Sequence, residues 1–367
     1  PNSPVFPLGA NETAETLGIG GDLRIGLAEG FEELEFRIPA KDKSVLPRHL
    51  GILGTTGGGK STTVSGLVAK AQKEGMAVIL IDTEGEYTAL HEATDDEDMK
   101  AACAQLGLSP EGVKNTHIYH LVGRETANPA HPSRSEFSPR FWALSPYMVQ
   151  EILDLNDAQS DRFFDAYTIT KRAMELFKIF PRADERFQAQ DRKRADEWDE
   201  LDTGYPNLQL AQLYDVVNLT GTIVSKDETE PRLATEAFRQ ADNLKKLRQS
   251  IAASKPTSIS SWRALQGKLG KIRRLKIFDA PGVKPLNFPE MLQPGRVSII
   301  DLSDSDSTQI NNLVIAELLR GLQVAQDKAY KVAVAENRQP TPALIFIEEA
   351  HEFLSAGRIK KMDTLFQ

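Results

Sequence analysis

Residues 48–63 read Arg-His-Leu-Gly-Ile-Leu-Gly-Thr-Thr-Gly-Gly-Gly-Lys-Ser-Thr-Thr. Gly54, Gly59, Lys60 and Ser61 in this stretch fit the spacing G-x-x-x-x-G-K-[ST], a loop that wraps phosphates. No other feature limits the fold as strongly, because such a loop must leave a strand and open a helix. A triphosphate needs many N–H donors around it, so the main chain has to curl tightly, and glycine permits that curl. Gly57, Gly58 and Gly59 supply it, with Thr56 and Thr62 completing the loop. Lys60 places an ammonium by the β- and γ-phosphates, and Ser61 offers a hydroxyl to Mg²⁺. The following helix points its positive end at the same phosphates.

The flanks agree with this reading. Leu50, Ile52 and Leu53 predict a short buried strand. Val64, Leu67, Val68 and Ala71 fall at i, i+3, i+4 and i+7, which predicts a helix with one apolar face. Gly75 is placed to end it. The apolar run at residues 76–81 predicts a central parallel strand covered on both faces. It ends in Asp82-Thr83-Glu84-Gly85-Glu86-Tyr87, and ligands of open parallel sheets bind beyond the carboxyl ends of strands. Asp82 reads either as a site carboxylate or as the cap of a polar turn. Glu84 reads as a turn residue.

A second constellation closes the chain. Residues 343–347, Ala-Leu-Ile-Phe-Ile, predict another strongly buried strand, and Glu348-Glu349-Ala350-His351 follow. An apolar strand ending in two acids is the Walker B pattern, which delivers carboxylates to the rim where the loop presents phosphates. Glu348 then holds the Mg²⁺ shell, and Glu349 polarises or deprotonates the attacking water. His351 reads equally as a contact to nucleotide or a neighbouring subunit and as a helix-start residue. The chemistry implied is hydrolysis of the β–γ bond of ATP, with Glu349 and Lys60 as catalytic residues and ATP and Mg²⁺ as cofactors.

The chain of 367 residues, 40% hydrophobic and 26% charged, is long enough to bury a full α/β core. A formal net charge of −8 argues against a generally basic nucleic-acid coat, while leaving room for a local basic pore or loop. Cys103 is the single cysteine, which excludes a disulfide scaffold and reads as a small apolar helix residue. The apolar runs are too short to span a bilayer, and no secretory signal pattern opens the chain. The expectation is a cytoplasmic protein with no membrane partner.

The organisation expected is α/β, with a RecA-like P-loop core, a mainly parallel sheet and a helical insertion. Residues 1–47 form a leader with one or two β-strands, and 48–141 form the first part of the core. Residues 142–275 form the insertion. Residues 276–367 form the second part of the core, incomplete at its C-terminal end. Within the first part, strand Thr116–Leu121 is expected, followed by a Pro-rich connection. His117, His120 and His131 read as strand positions and surface loops rather than metal ligands. In the insertion, Phe163, Tyr167, Met174 and Phe177 share a helix face, as do Leu233, Ala237, Ala241, Leu244 and Ile251. Residues 184–200 read as a solvated helix or connector. The basic groups Lys245, Lys246 and Arg248, and Lys268, Lys271, Arg273, Arg274 and Lys276, read as soluble helix faces or, alternatively, a DNA-facing surface. Residues 297–302 predict a strand ending at Asp301, and 310–330 a helix with a broad apolar face.

Together these residues resemble the HerA branch of the HerA/FtsK ATPases. The resemblance rests on the loop from His49 to Ser61, on Asp-x-x-Gly-Glu-Tyr at Asp82–Tyr87, and on Glu348-Glu349-Ala350-His351. It covers residues 20–367 in layout. It implies a ring, usually a hexamer, with ATP between subunits and DNA in the central pore. Such proteins act as translocases or helicases beside a nuclease, and bacterial relatives serve antiphage defence with nuclease or sirtuin-like effectors. Lys60 and Ser61 carry over as phosphate and Mg²⁺ residues, Glu348 as the metal-shell acid and Glu349 as the catalytic acid. Asp82 and Glu86 match the second-strand motif as further nucleotide-site residues. The family's N-terminal barrel, sensor and arginine finger are not visible, so the resemblance expects another subunit to complete the site. Rival readings are a nucleotide-binding ring scaffold that organises an effector with little turnover, and a secretion- or conjugation-type motor.

Overall fold

The computed structural model describes residues 8–28, 31–39, 50–55, 57–105, 107–179, 204–227, 229, 231–305 and 307–353. Residues 184–200 and Thr56 lie outside them. Helix α1 (Ala10–Leu17) precedes an antiparallel hairpin, β1 (Leu23–Ala28) and β2 (Phe31–Ile38), with Leu23 opposite Ile38. The leader thus holds both expected strands and a helix that was not foreseen. Helix α2 (Lys60–Lys73) buries Val64, Leu67, Val68 and Ala71, the four residues whose spacing predicted it. Its last turn closes through the Gly75 and Met76 amides, which donate to Gln72 and Ala71 carbonyls at 2.9 and 3.0 Å.

The core is a five-stranded parallel sheet. Its strands are β3 (Ala77–Asp82), β4 (Thr116–Leu121), β5 (Arg134–Phe137), β6 (Val297–Asp301) and β7 (Ala343–Ile347), in the order β5-β4-β6-β3-β7. Every residue of β3 is buried, as a continuous apolar run requires when both faces are covered. Alternate side chains then take opposite faces. Val78 and Leu80 pack with Val64, Val68 and Ala71 of α2. Ile79 and Ile81 pack into the larger core beneath the helical residues. Each such side chain contributes about 1.5–3 kcal/mol on leaving water. The α/β class with a parallel sheet is therefore as expected.

Two strand expectations need correction. Leu50, Ile52 and Leu53 form no strand, and Leu53 is 94% exposed. The glycines at 51 and 54 leave too short an apolar segment to hold a ladder by itself. Conversely, β7 is not a fully covered strand. Among the described residues it pairs only with β3, and Ile345 is 37% exposed. Strand β5 was missed inside the Pro-rich connection because Arg-Ser-Glu-Phe has no apolar run. His131 is not on a surface loop. It is 1% exposed, with Nε2 3.0 Å from Thr116 Oγ1.

Among the described residues one helix stands between β3 and β4, and further helices lie between β5 and β6. Helix α3 (Glu97–Gln105) carries Cys103 and precedes β4. After β5 follow α4 (Pro146–Ile152), α5 (Asp157–Leu176), α6 (Leu210–Ser225), α7 (Glu236–Arg239), α8 (Ala241–Ala253) and α9 (Ile259–Arg274). The face from Leu233 to Ile251 is not one helix. Gln240, with φ −63° and ψ 131°, is extended and separates α7 from α8. Buried Asp215 of α6 accepts the Ala234 and Thr235 amides at 2.9 and 2.7 Å, fixing the chain just before α7. The basic groups are partly spent on structure. Lys268 donates to the Leu153 carbonyl at 3.0 Å, and the Arg273 guanidinium lies 4.6 Å from the Tyr214 ring centre.

Helices α10 (Phe288–Met291), α11 (Thr308–Ala335) and α12 (Ala350–Phe353) complete the described chain. The first half of α11 is buried against the sheet and includes Glu317. Burial pushes the Glu317 carboxyl up to about 8, with the Arg140 backbone N–H opposing. The folded state therefore keeps a proton that the unfolded chain loses near its ordinary value of 4.5. Stability from this group is present below 4.5 and is lost as pH rises through 8. Urea unfolding at pH 5 and pH 8 should show the parent protein losing stability relative to Glu317→Gln over that interval. Parallel pH profiles would contradict the burial argument.

Candidate active site

The parallel registers bring three strand ends together. Asp82 pairs with Asp301 across β3–β6, and Ile81 pairs with Ile347 across β3–β7, so Glu348 emerges beside the turn after β3. The Glu348 amide continues the ladder to the Ile81 carbonyl at 3.1 Å.

Asp82 is 0% exposed. Its Oδ1 accepts the Gly85 and Glu86 amides at 2.7 and 3.1 Å, and Oδ2 accepts the Tyr87 amide at 2.9 Å. Its carboxylate is thus engaged under the turn and does not line the cavity above it. Of the two readings of this residue, the geometry matches the turn cap. Glu348 Oε2 accepts the Thr83 and Glu84 amides at 3.0 and 3.1 Å, so the same turn is held from both strands. A side-chain hydrogen bond also joins Asp82 to Glu348. Burial, and then the adjacent Asp82, pushes the Glu348 carboxyl well above the usual carboxylate range. Burial likewise raises the Asp82 carboxyl above the usual carboxylate range. Asp301 is engaged separately, accepting Thr126 Oγ1 and the Ala127 amide at 2.6 and 2.8 Å.

Opposite this rim lies the glycine loop. Gly57 and Gly59 have φ of 76° and 80°, the left-handed conformation that a curled anion-binding loop requires. Lys60 Nζ donates to the carbonyls of Gly54 and Thr55 at 3.2 and 3.4 Å. The Ser61 hydroxyl donates to Glu86 Oε2, so the first turn of α2 is tied directly to the turn after β3. Tyr87 also reaches Ser61, and burial pushes its phenol up to about 12.

A cavity of about 770 Å³ spans both constellations. Gly57, Gly59, Lys60, Ser61 and Thr62 line one side, and Glu86, Glu348 and Glu349 the other. Gly58 belongs to the same loop without lining the cavity. Its amide closes the turn onto the Thr55 carbonyl at 2.9 Å. Carboxylate oxygens of Glu84, Glu86 and Glu348 lie within 4.8 Å of one another. Hard oxygen donors in such a group, beside the Ser61 hydroxyl, suit Mg²⁺. Glu349 has φ 46°, a conformation that strains a non-glycine residue by about 1–3 kcal/mol. Its Oε2 lies 3.1 Å from His351 Nδ1. Sequence reasoning read Glu84 as a turn residue and gave Tyr87 no role of its own, although both stand within the motif that begins at Asp82.

Comparison with known proteins adds one decisive match. A family profile described as the central domain of helicase HerA matches residues 25–322. The chain belongs to the HerA family. The DNA double-strand break repair helicase HerA of Sulfolobus acidocaldarius is 37% identical over 81 residues, 22% of this chain and 15% of that protein. The probable DNA double-strand break repair helicase HerA of Methanocaldococcus jannaschii is 41% identical over 89 residues, 24% of this chain and 17% of that protein. The matched stretch thus spans about one-sixth of these HerA relatives. VirB4 of Thermoanaerobacter pseudethanolicus superposes with a TM-score of 0.44 at 14% identity, covering 95% of this chain and 75% of that one. No helix among the described residues is long and apolar enough to cross a membrane.

Asp82→Ala strips acceptors from the Gly85, Glu86 and Tyr87 amides. Each buried donor left unmade costs about 1–3 kcal/mol. Urea unfolding should therefore show a loss of roughly 3 kcal/mol or more, and Asp82→Asn, which keeps one oxygen, a smaller loss. A substitution that leaves stability unchanged would remove Asp82 from its place under the turn.

Proposed function

We propose that this chain is the motor core of an ATP-dependent DNA translocase or helicase of the HerA type. The observation that carries the reading is the single cavity lined by both the glycine loop and the strand-end acids. The names of the curated relatives, DNA double-strand break repair helicases, support DNA as the object of the work. Closed rings with ATP at subunit interfaces, and a nuclease or other effector as partner, follow from the same family reading.

In this mechanism Lys60 turns from the Gly54 and Thr55 carbonyls to the β- and γ-phosphates. The loop amides hold the same oxygens. Ser61, Glu86 and Glu348 would hold Mg²⁺ through their oxygens. When bound, the cation neutralises charge across the β- and γ-phosphate oxygens. Glu349 orients water and accepts its proton as the water oxygen bonds to the γ-phosphorus and the bond to the β–γ bridging oxygen breaks, leaving ADP and phosphate. The strained backbone at Glu349 aims that carboxylate from the strand end into the cavity. A positioned general base contributes about 10²–10⁴-fold to such a step.

ATP hydrolysis measured with and without double-stranded DNA tests the reading. DNA should stimulate turnover. Lys60→Ala should weaken binding of a fluorescent ATP analogue by at least about tenfold, as expected when charge-assisted hydrogen bonds are lost. Glu349→Gln should still bind the analogue while hydrolysis falls about a hundredfold or more. Normal hydrolysis by Glu349→Gln would remove that residue as the base, and turnover indifferent to DNA would favour a scaffold.

A further inference from the structure

A second cavity, of about 910 Å³, lies between α11, residues 285–294 and residues 338–341, which lead into β7. It shares no lining residue with the cavity at the glycine loop and sits at the opposite end of β7 from Glu348. Its volume is within the roughly 300–1,000 Å³ range of small-molecule sites. The walls are apolar, formed among others by Trp142, Leu286, Phe288, Leu292 and Val324. One wall is built by a glycine. A Cβ at Gly321 would meet the Phe288 ring at 2.1 Å, so the ring lies on the helix backbone and only glycine leaves it room.

Two polar groups in this apolar setting have unmet hydrogen bonds. Glu317 is 3% exposed, and its carboxyl takes the Arg140 backbone N–H. Its Oε2 has no hydrogen-bond partner among the described residues. Gln326 donates from Nε2 to the Thr341 carbonyl at 2.9 Å, which fixes its amide orientation. Its Oε1 is also buried without a partner. Two nearby guanidinium nitrogens are engaged elsewhere. Arg140 Nη2 donates to the Val283 carbonyl at 2.9 Å, and Arg320 Nη1 to Gln323 Oε1 at 3.1 Å. Buried polar atoms are rarely left unmade, because removing them from water without a partner is costly.

We propose that this cavity is a binding site for a small uncharged molecule with a flat apolar body and an O–H or N–H donor at its inner end. The body covers the apolar walls, and the donor meets the Gln326 oxygen. Charge on the ligand is not called for, since burial keeps Glu317 protonated up to about 8. The cations at the cavity, Lys328 and Arg338 among them, disfavour a positively charged body. This inference does not depend on the nucleotide reading.

Ligand-detected NMR on the intact protein at pH 7 tests it with 2-naphthol and 2-methoxynaphthalene, which share a body but differ in the donor. 2-Naphthol should bind about tenfold more tightly, the effect of one added hydrogen bond to a buried acceptor. Ala329→Trp adds an indole at an exposed lining position of α11 and should abolish binding of both. It should leave melting temperature and nucleotide binding unchanged. Gln326→Leu should retain the body and lose the preference for 2-naphthol. Absence of binding, binding indifferent to Ala329→Trp, or equal affinity for the two probes in the parent protein would each overturn the proposal.

Discussion

The contact between Asp82 and Glu348 fixes the rim of this sheet. Two carboxyl groups from neighbouring parallel strands meet there and together accept five backbone amides of the turn between them. Without that arrangement, residues 83–87 would have no reason to fold over the strand ends, and Glu86 would not reach Ser61. Burial raises both carboxyls above the usual carboxylate range, and two adjacent carboxylates resist joint ionisation.

From this contact the division of labour among the acids follows. Both Asp82 oxygens accept amides of the turn, and the residue does not line the cavity. Glu348 has two roles, as turn support and as one of three carboxylates close enough to share a cation. Glu349, one residue later, is turned out of the ladder by its left-handed backbone and faces the cavity with Lys60. Adjacent acids on a strand end thus diverge, one into the turn and one into the cavity, through one backbone dihedral. The buried β3 supplies the rigidity, holding the rim from both neighbouring strands.

The sequence was most legible where one physical requirement dominates. A run of buried β-branched and aliphatic residues has no alternative to a covered strand, so β3 was plain. The period of α2 and the glycine spacing before it were equally direct. Legibility failed where structure depends on what lies beside a segment. Residues 343–347 look as buried as β3, yet β7 is half-covered because no described strand lies along its outer edge. Leu50, Ile52 and Leu53 have strand-like composition without a ladder partner. Strand β5 is polar and, among the described residues, pairs with β4 alone. His131 is buried by its hydrogen bond to Thr116, a contact fifteen residues back that no local pattern reveals. The Ser61–Glu86 link is likewise a tertiary fact, although both residues stood in recognised motifs.

The central claim is that the glycine loop and the two strand-end motifs form one nucleotide site. Amide hydrogen exchange, followed by mass spectrometry with and without a slowly hydrolysed ATP analogue and Mg²⁺, tests this most directly. One site predicts simultaneous slowing of exchange in residues 54–63, 83–87 and 347–351, with Lys60→Ala removing all three effects together. Protection confined to the glycine loop, with the two acidic rims unchanged, would contradict it.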